Sequence, residues 1–405
     1  MSWKNKRIQF TFVGSALLIL IGFLMVPQMR HVAAEYACDQ HETQNQKIDC
    51  WNDVVDSRVQ KEGIVGGIRE YSRLYRFSDF AQSGCHKRSH WLGDRMYYES
   101  LTSKDSSREE IIFPDGSALC GYGMITGFFE HYIQNLKPRT LESITQTCEY
   151  FGTQYGSSMR DIQVTCYHAA GHGLLYAHAE ELPRQSWGST HEFVDEPLRT
   201  CDTLPKATDF EKDNCRNGVF HVLVDLMTAK QFGFAYDAEH PFLLCEDFKK
   251  LYKSSCYYGM LQPLNQVTHA DLGALVSLYT SIVEPVLRDR VFWNGIAGME
   301  RLRLGTNGHV QLLDECAFLD GHLFSLCVKG IVFMLFEDGP PGKEYVVAQS
   351  ICTMPLIEKN GAIDSCWNVF EQRIRRLYPP KKAGELCKLE PVDRQASCVT
   401  NVTET

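Results

Sequence analysis

Apolar positions along the chain fall into two patterns. Residues 10–27, FTFVGSALLILIGFLMVP, form one uncharged run preceded by Lys4, Lys6 and Arg7. As a helix rising about 1.5 Å per residue, the run spans roughly 27 Å, close to the hydrocarbon thickness of a bilayer. A basic flank stays on the cytoplasmic side, so the rest of the chain is expected to be exported. Residues 1–34 are read as a signal-anchor helix, or as a signal peptide cleaved after the small residues Val32 and Ala34. Elsewhere the apolar positions recur in short pieces at helical spacing. Leu141, Ile144, Cys148 and Phe151 share one face, as do Val347, Ile351 and Met354. Strand signals are sparse, and Pro138, Pro183, Pro197, Pro205, Pro263, Pro285 and the Pro340-Pro341 pair are expected to fall between the periodic segments. The pattern predicts an all-α chain behind an N-terminal membrane helix.

The cysteines divide this helical chain into units. There are 16, an even number suited to an oxidising compartment. Taken as consecutive pairs, Cys38/Cys50, Cys245/Cys256, Cys316/Cys327 and Cys387/Cys398 lie 11 or 12 apart, and Cys201/Cys215 and Cys352/Cys366 lie 14 apart. Cys148/Cys166 are 18 apart, and Cys85/Cys120, at 35, leave room for an insertion over residues 102–117 with the turn signal Pro114-Asp115-Gly116. After the second cysteine an apolar helical run follows, as in CGYGMITGFF from Cys120, CYHAAGHGLL from Cys166 and CVKGIVFMLF from Cys327. Glycine stands three residues after the cysteine at Gly123, Gly218, Gly259 and Gly330, where it would let neighbouring helices approach closely. One further copy has lost its cysteines: in FWNGIAGMER, Phe292 takes the cysteine place and Gly295 the glycine place.

Positions 120, 166, 215, 256, 292, 327, 366 and 398 recur at 32 to 49 residues, the period of a helical-hairpin repeat. Each unit reads as helix, cysteine, short polar loop, cysteine, helix. A disulfide at each turn would contribute roughly 3 kcal/mol by restricting the unfolded chain. The cysteine-to-cysteine hairpin with its trailing glycine resembles the disulfide-bridged tetratricopeptide-like repeats of cysteine-rich secreted bacterial proteins, over about residues 139–400. The expected fold is a set of disulfide-stapled helical hairpins, wound as a solenoid or closed into a compact ring. The expected domains are residues 1–34 for export, 35–80 as an N-terminal helical cap, and 81–405 as the cysteine-rich repeat domain.

Composition narrows the function. Apolar residues are 44% and charged residues 22%, ordinary for a globular chain, and the net charge of −9 disfavours nucleic acid as a partner. No two cysteines are closer than 11 residues, which excludes C-x-x-C zinc knuckles, thioredoxin-type pairs and haem attachment. H-E-x-x-H, G-x-S-x-G, P-loop and calcium-loop signatures are also absent. The basic cluster Arg373, Arg375, Arg376, Lys381 and Lys382 reads as a solvated helix end before it reads as a site for an anionic partner.

The histidines carry more chemistry. Eight of 14 lie between positions 86 and 221. His86 and His90, and His168 and His172, are i, i+4 pairs that place both imidazoles on one helix face. On facing helices the two pairs can make a four-nitrogen site for zinc, copper or iron. His172 and His221 each stand six residues after a repeat cysteine, so His221 is expected to join them. Glu130 is the candidate catalytic acid or base, and His131 and His178 are weaker candidates.

The leading functional expectation is an exported, membrane-tethered scaffold whose stacked repeats present a concave surface to a peptide or protein partner. The alternative is a metalloprotein or metalloenzyme built on the histidine cluster in residues 86–221. A third reading makes the chain a structural envelope component whose histidines fill the core.

Overall fold

A computed structural model describes residues 38, 40–75, 84–101, 111–260, 263–303 and 308–403. The expected membrane helix lies outside the described residues, and no helix among those described is long and apolar enough to cross a membrane. Among the described residues all regular structure is helical, with no strand. The cysteines form eight disulfides between consecutive partners, with Cα–Cα separations from 5.4 to 6.4 Å. Eight disulfides point to an oxidising, extracytoplasmic compartment.

The chain divides into two compact units, Met1–Ala81 and Gln82–Thr405. In the first, helix α1 (Gln44–Leu74) starts at a capping box in which Thr43 and Gln46 each cap the other's backbone N–H. Cys38–Cys50 ties the chain before the helix to its second turn. The helix kinks at Gly63, whose φ of 66° lies in the left-handed region.

In the second unit, most helices that carry a second cysteine line the inside of the fold, joined there by the helix that starts at Cys85 and by the cysteine-free helix of the Phe292 copy, and helices that end at a first cysteine pack behind them. The inner series is α2 (Cys85–Leu101), α3 (Leu119–Asn135), α5 (Ile162–Glu181), α7 (Asp209–Thr228), α9 (Lys250–Gly259), α12 (Pro285–Arg303), α14 (Gly321–Asp338) and α17 (Ile363–Leu377). Behind them stand α4 (Leu141–Tyr155), α6 (Thr190–Thr203), the single turn α8 (Leu243–Glu246), α11 (Leu272–Ser281), α13 (Gly308–Cys316) and α15 (Glu344–Cys352). The short helices α10 (Leu264–Thr268) and α16 (Pro355–Lys359) are connectors, and α18 (Pro380–Leu386) with α19 (Val392–Thr403) ends the unit. Disulfides join α4 to α5, α6 to α7, α8 to α9, α13 to α14 and α15 to α17. The cysteine-free copy, α11 with α12, is held by apolar contact: Tyr279 meets Phe292 ring to ring at 5.4 Å.

Neighbouring inner helices cross at their glycines. A Cβ on Gly123 of α3 would lie 2.2 Å from the His86 carbonyl of α2, and one on Gly218 of α7 would lie 2.0 Å from the His168 carbonyl of α5. These backbones touch, and no larger residue fits. Among the aromatic residues near the first histidine pair, Phe128 and Phe129 are core, buried in a ring cluster with Phe113 and Phe151, whereas Tyr98 is exposed.

The inner series closes on itself, because α14 packs against both α2 and α3. Polar groups make the seam. The His86 backbone N–H donates to Asp338 at 2.8 Å, Tyr122 donates to the Arg376 carbonyl at 3.2 Å, and Arg376 pairs with Asp161 at the start of α5. The helix end carrying Arg373 and Arg376 is therefore not simply solvated. Arg373 is buried and pairs with Glu337, and Arg376 turns inward. At the start of α3 three consecutive residues, Cys120, Gly121 and Tyr122, have φ of 54°, 59° and 68°. A Cβ on Gly121 would strike the Glu337 carboxylate at 1.9 Å, so glycine is required there on both counts.

Two predictions concern this packing. Gly218→Ala should destabilise the fold by about 1–3 kcal/mol through overpacking, whereas Gly321→Ala, with nothing within 4 Å, should be neutral in the same chemical unfolding assay. Glu300 is fully buried, neither carboxyl oxygen has a hydrogen-bond partner among the described residues, and burial, opposed by Arg303, pushes its pKa from 4.5 up to about 8. The folded chain thus holds a proton that the unfolded chain releases above its lower pKa. This contribution to stability is complete below pH 4.5 and is lost as pH rises to about 8. Unfolding curves of Glu300→Gln should show a shallower fall in stability across that window, by up to about 1.4 kcal/mol per pH unit. Identical pH slopes in the two proteins would contradict the assignment.

Candidate metal centre

Three imidazoles meet where α5 crosses α7. The Nε2 atoms of His168 and His172 are 3.1 Å apart, and His221 Nδ1 is 3.2 Å from His172 Nε2. Three nitrogens bound to one tetrahedral metal at its usual bond length are separated by about 3.3 Å. The spacing arises from three local facts. His168 and His172 are one helical turn apart on α5, His221 faces them from α7, and Gly218 lets the two helices touch.

The other nitrogen of each α5 histidine is held by a group that can only accept. His168 Nδ1 lies 3.2 Å from the Asn214 carbonyl, and His172 Nδ1 lies 2.9 Å from the Glu130 carboxylate. A neutral imidazole facing an acceptor carries its proton on that side. Each ring therefore carries a proton on Nδ1 and turns Nε2 toward the other across 3.1 Å. Burial above all, reinforced by the neighbouring histidines, holds the pKa of His168 and of His221 well below the ordinary value, so both stay neutral. For Glu130, burial pushes upward, but hydrogen bonding with His172 and His90 outweighs it and holds the carboxyl well below the usual range. Three converging imidazole nitrogens, two of them on rings oriented from behind by a carboxylate and a carbonyl, are a donor set that suits a divalent cation.

His86 and His90 stand beside this trio rather than within it. His90 lies on the far side of Glu130, with Nδ1 3.6 Å from the carboxylate that His172 also faces. Its Nε2 is buried with no hydrogen-bond partner among the described residues, and burial, against the pull of Glu130, drives its pKa down to about 4. His90, Glu130 and His172 form a second group of ligand atoms that lie within 4.8 Å of one another. His86 Nδ1 is 2.9 Å from the Cys120 carbonyl, which the left-handed turn presents to it, and 3.4 Å from Glu337. The weaker candidates go elsewhere: His131 pairs with Asp94 at 3.0 Å, and His178 with Glu196 at 3.2 Å.

The centre opens onto a cavity of about 440 Å³ inside the ring. His86, His168 and His221 line one arc of it, and Tyr258, Arg301, Glu337 and Arg376 line another. This second arc was not legible as a site in the sequence. Its nearest signal was the basic cluster at 373–376, whose inward spacing of three matches that of the buried Phe370 and Arg373 on the same helix.

The tautomers are directly testable. Long-range ¹H–¹⁵N spectra of the metal-free protein near neutral pH should show His168 as a neutral ring protonated at Nδ1 and His172 with a proton on Nδ1; a proton on His168 Nε2, or a bare Nδ1 in either residue, would refute the geometry. Comparison with known protein families, with curated proteins and with solved structures finds no match. Function therefore has to be read from the chemistry of the centre itself.

Proposed function

We propose that this chain is an exported metalloprotein that binds one transition metal through His168 Nε2, His172 Nε2 and His221 Nδ1. The observation that carries the reading is the convergence of three imidazole nitrogens, with contacts of 3.1 and 3.2 Å, two of them on rings held from behind by an acceptor.

Three imidazoles suit zinc, copper or iron. They leave a coordination position open, and His168 and His221 both border the cavity, so a bound water or small molecule would occupy that position. The natural activity of such a centre is metal-assisted chemistry on a small molecule in the cavity. Glu130 would act mainly by fixing the His172 ring and raising its basicity, since its carboxylate already engages that ring. A peptide-binding scaffold needs an extended open face, and the closed inner series encloses a volume of small-molecule size instead. Anchoring by residues 1–34 is part of the proposal and rests on the uncharged run alone.

Elemental analysis of the untagged full-length chain, produced through an oxidising export pathway, should find close to one zinc, copper or iron per chain. His168→Ala combined with His221→Ala should abolish it, and Glu130→Gln should weaken metal affinity about 10- to 100-fold. A folded, fully disulfide-bonded sample that neither contains nor takes up any of these metals would falsify the reading.

A further inference from the structure

The second arc of the cavity holds two guanidinium groups in an unusual state. Arg301 is anchored through Nε to the buried Asp338 at 2.5 Å, and Arg376 through Nε to Asp161. No hydrogen bond from the terminal nitrogens of either reaches a group among the described residues. Both side chains line the cavity, and both remain accessible, at 32% for Arg301 and 39% for Arg376. Both also interact electrostatically with the same neighbours, Glu337 and Tyr258, so they serve one place. Tyr258 borders the cavity too, and its hydroxyl has no hydrogen-bond partner among the described residues.

The charges here are paired: Glu337 with Arg373, Asp338 with Arg301, and Asp161 with Arg376. The pairing decides the polarity of what faces the cavity. In Arg301 and Arg376 the carboxylate takes Nε, leaving terminal N–H donors in a fork and no acceptor. Glu337, the cavity's own carboxylate, is engaged by Arg373 and lies near His86 Nδ1. A guanidinium held from behind is already ordered, so little side-chain entropy is lost when it binds. Its terminal donors match the paired oxygens of a carboxylate or phosphate.

We infer that Arg301 and Arg376, with Tyr258, form a binding site for an oxyanion, the carboxylate or phosphate group of a small molecule held in the cavity. The other end of such a molecule would face the histidine arc, which makes the arginines the specificity-determining residues for whatever occupies the cavity. The inference stands on the arginine geometry and does not require the metal.

The test is isothermal titration of the full-length chain, as purified and after exhaustive chelation, with inorganic phosphate and separately with succinate. Saturable one-to-one binding of at least one probe is expected in both preparations, and the better probe distinguishes phosphate from carboxylate. The neutralised double variants Arg301→Gln/Asp338→Asn and Arg376→Gln/Asp161→Asn should bind it at least about 10-fold more weakly, as expected for loss of a charge-assisted pair. Each double variant removes both partners so that no lone buried charge remains, and far-UV circular dichroism checks the fold. Should either variant fail to fold, phenylglyoxal labelling of the unmutated chain replaces it: Arg301 and Arg376 should be protected by the bound probe. Absence of saturable binding, binding unchanged in the folded double variants, binding lost on chelation, or labelling unaffected by the probe would each overturn the inference. The metal content of the same samples is measured separately, so failure of the metal centre and failure of the oxyanion site are told apart.

Discussion

Every histidine of the candidate centre lies within six residues of a disulfide: His168 and His172 follow Cys166, and His221 follows Cys215. This proximity governs the rest. A cystine pins an early turn of α5 and of α7, and a helix fixes the height and azimuth of the residues that follow. Side chains shortly after the staple on neighbouring helices are thereby delivered to similar levels. The glycine crossings then bring the helices close enough for imidazoles to meet. Either device alone would leave the rings too far apart or free to slide.

Closure of the inner series relies on a different interaction. The seam between its first and last helices is made largely by buried or half-buried polar groups, among them Asp338, Glu337, Arg301, Arg373 and Arg376. Buried ion pairs add little net stability, because desolvation offsets much of their attraction, but they penalise misplacement heavily. The seam thus works as a register device that sets how α14 and α17 sit against α2, α3 and α5. The same groups border the cavity, so the residues that close the fold also shape what it can hold.

Much of this was legible in the chain. Consecutive cysteine pairing, the glycine three residues later, the apolar replacement of the staple at Phe292 and the pairing of His168 with His172 all follow from local spacing. The histidine trio was partly legible, since His221 occupies the same repeat position as His172. Other elements were not. Asn214 acts through its backbone carbonyl, to which sequence is blind. Glu130 reads as a catalytic candidate in sequence, whereas its contacts make it the partner of the His172 ring. Arg373 and Arg376 resemble a solvated helix end because their partners, Glu337 and Asp161, lie 36 and 215 residues away.

The sequence by itself determined the helical class, the staples and the glycine contact points, because helical period, cystine reach and the absence of a side chain act over a few residues. Only the tertiary structure decided that the hairpins close into a ring, which nitrogen of each histidine carries its proton, and which arginine edges face the cavity. Those outcomes are set by partners far apart in the chain, and the desolvation of a charge or a lone pair acquires its sign only once those partners are in place.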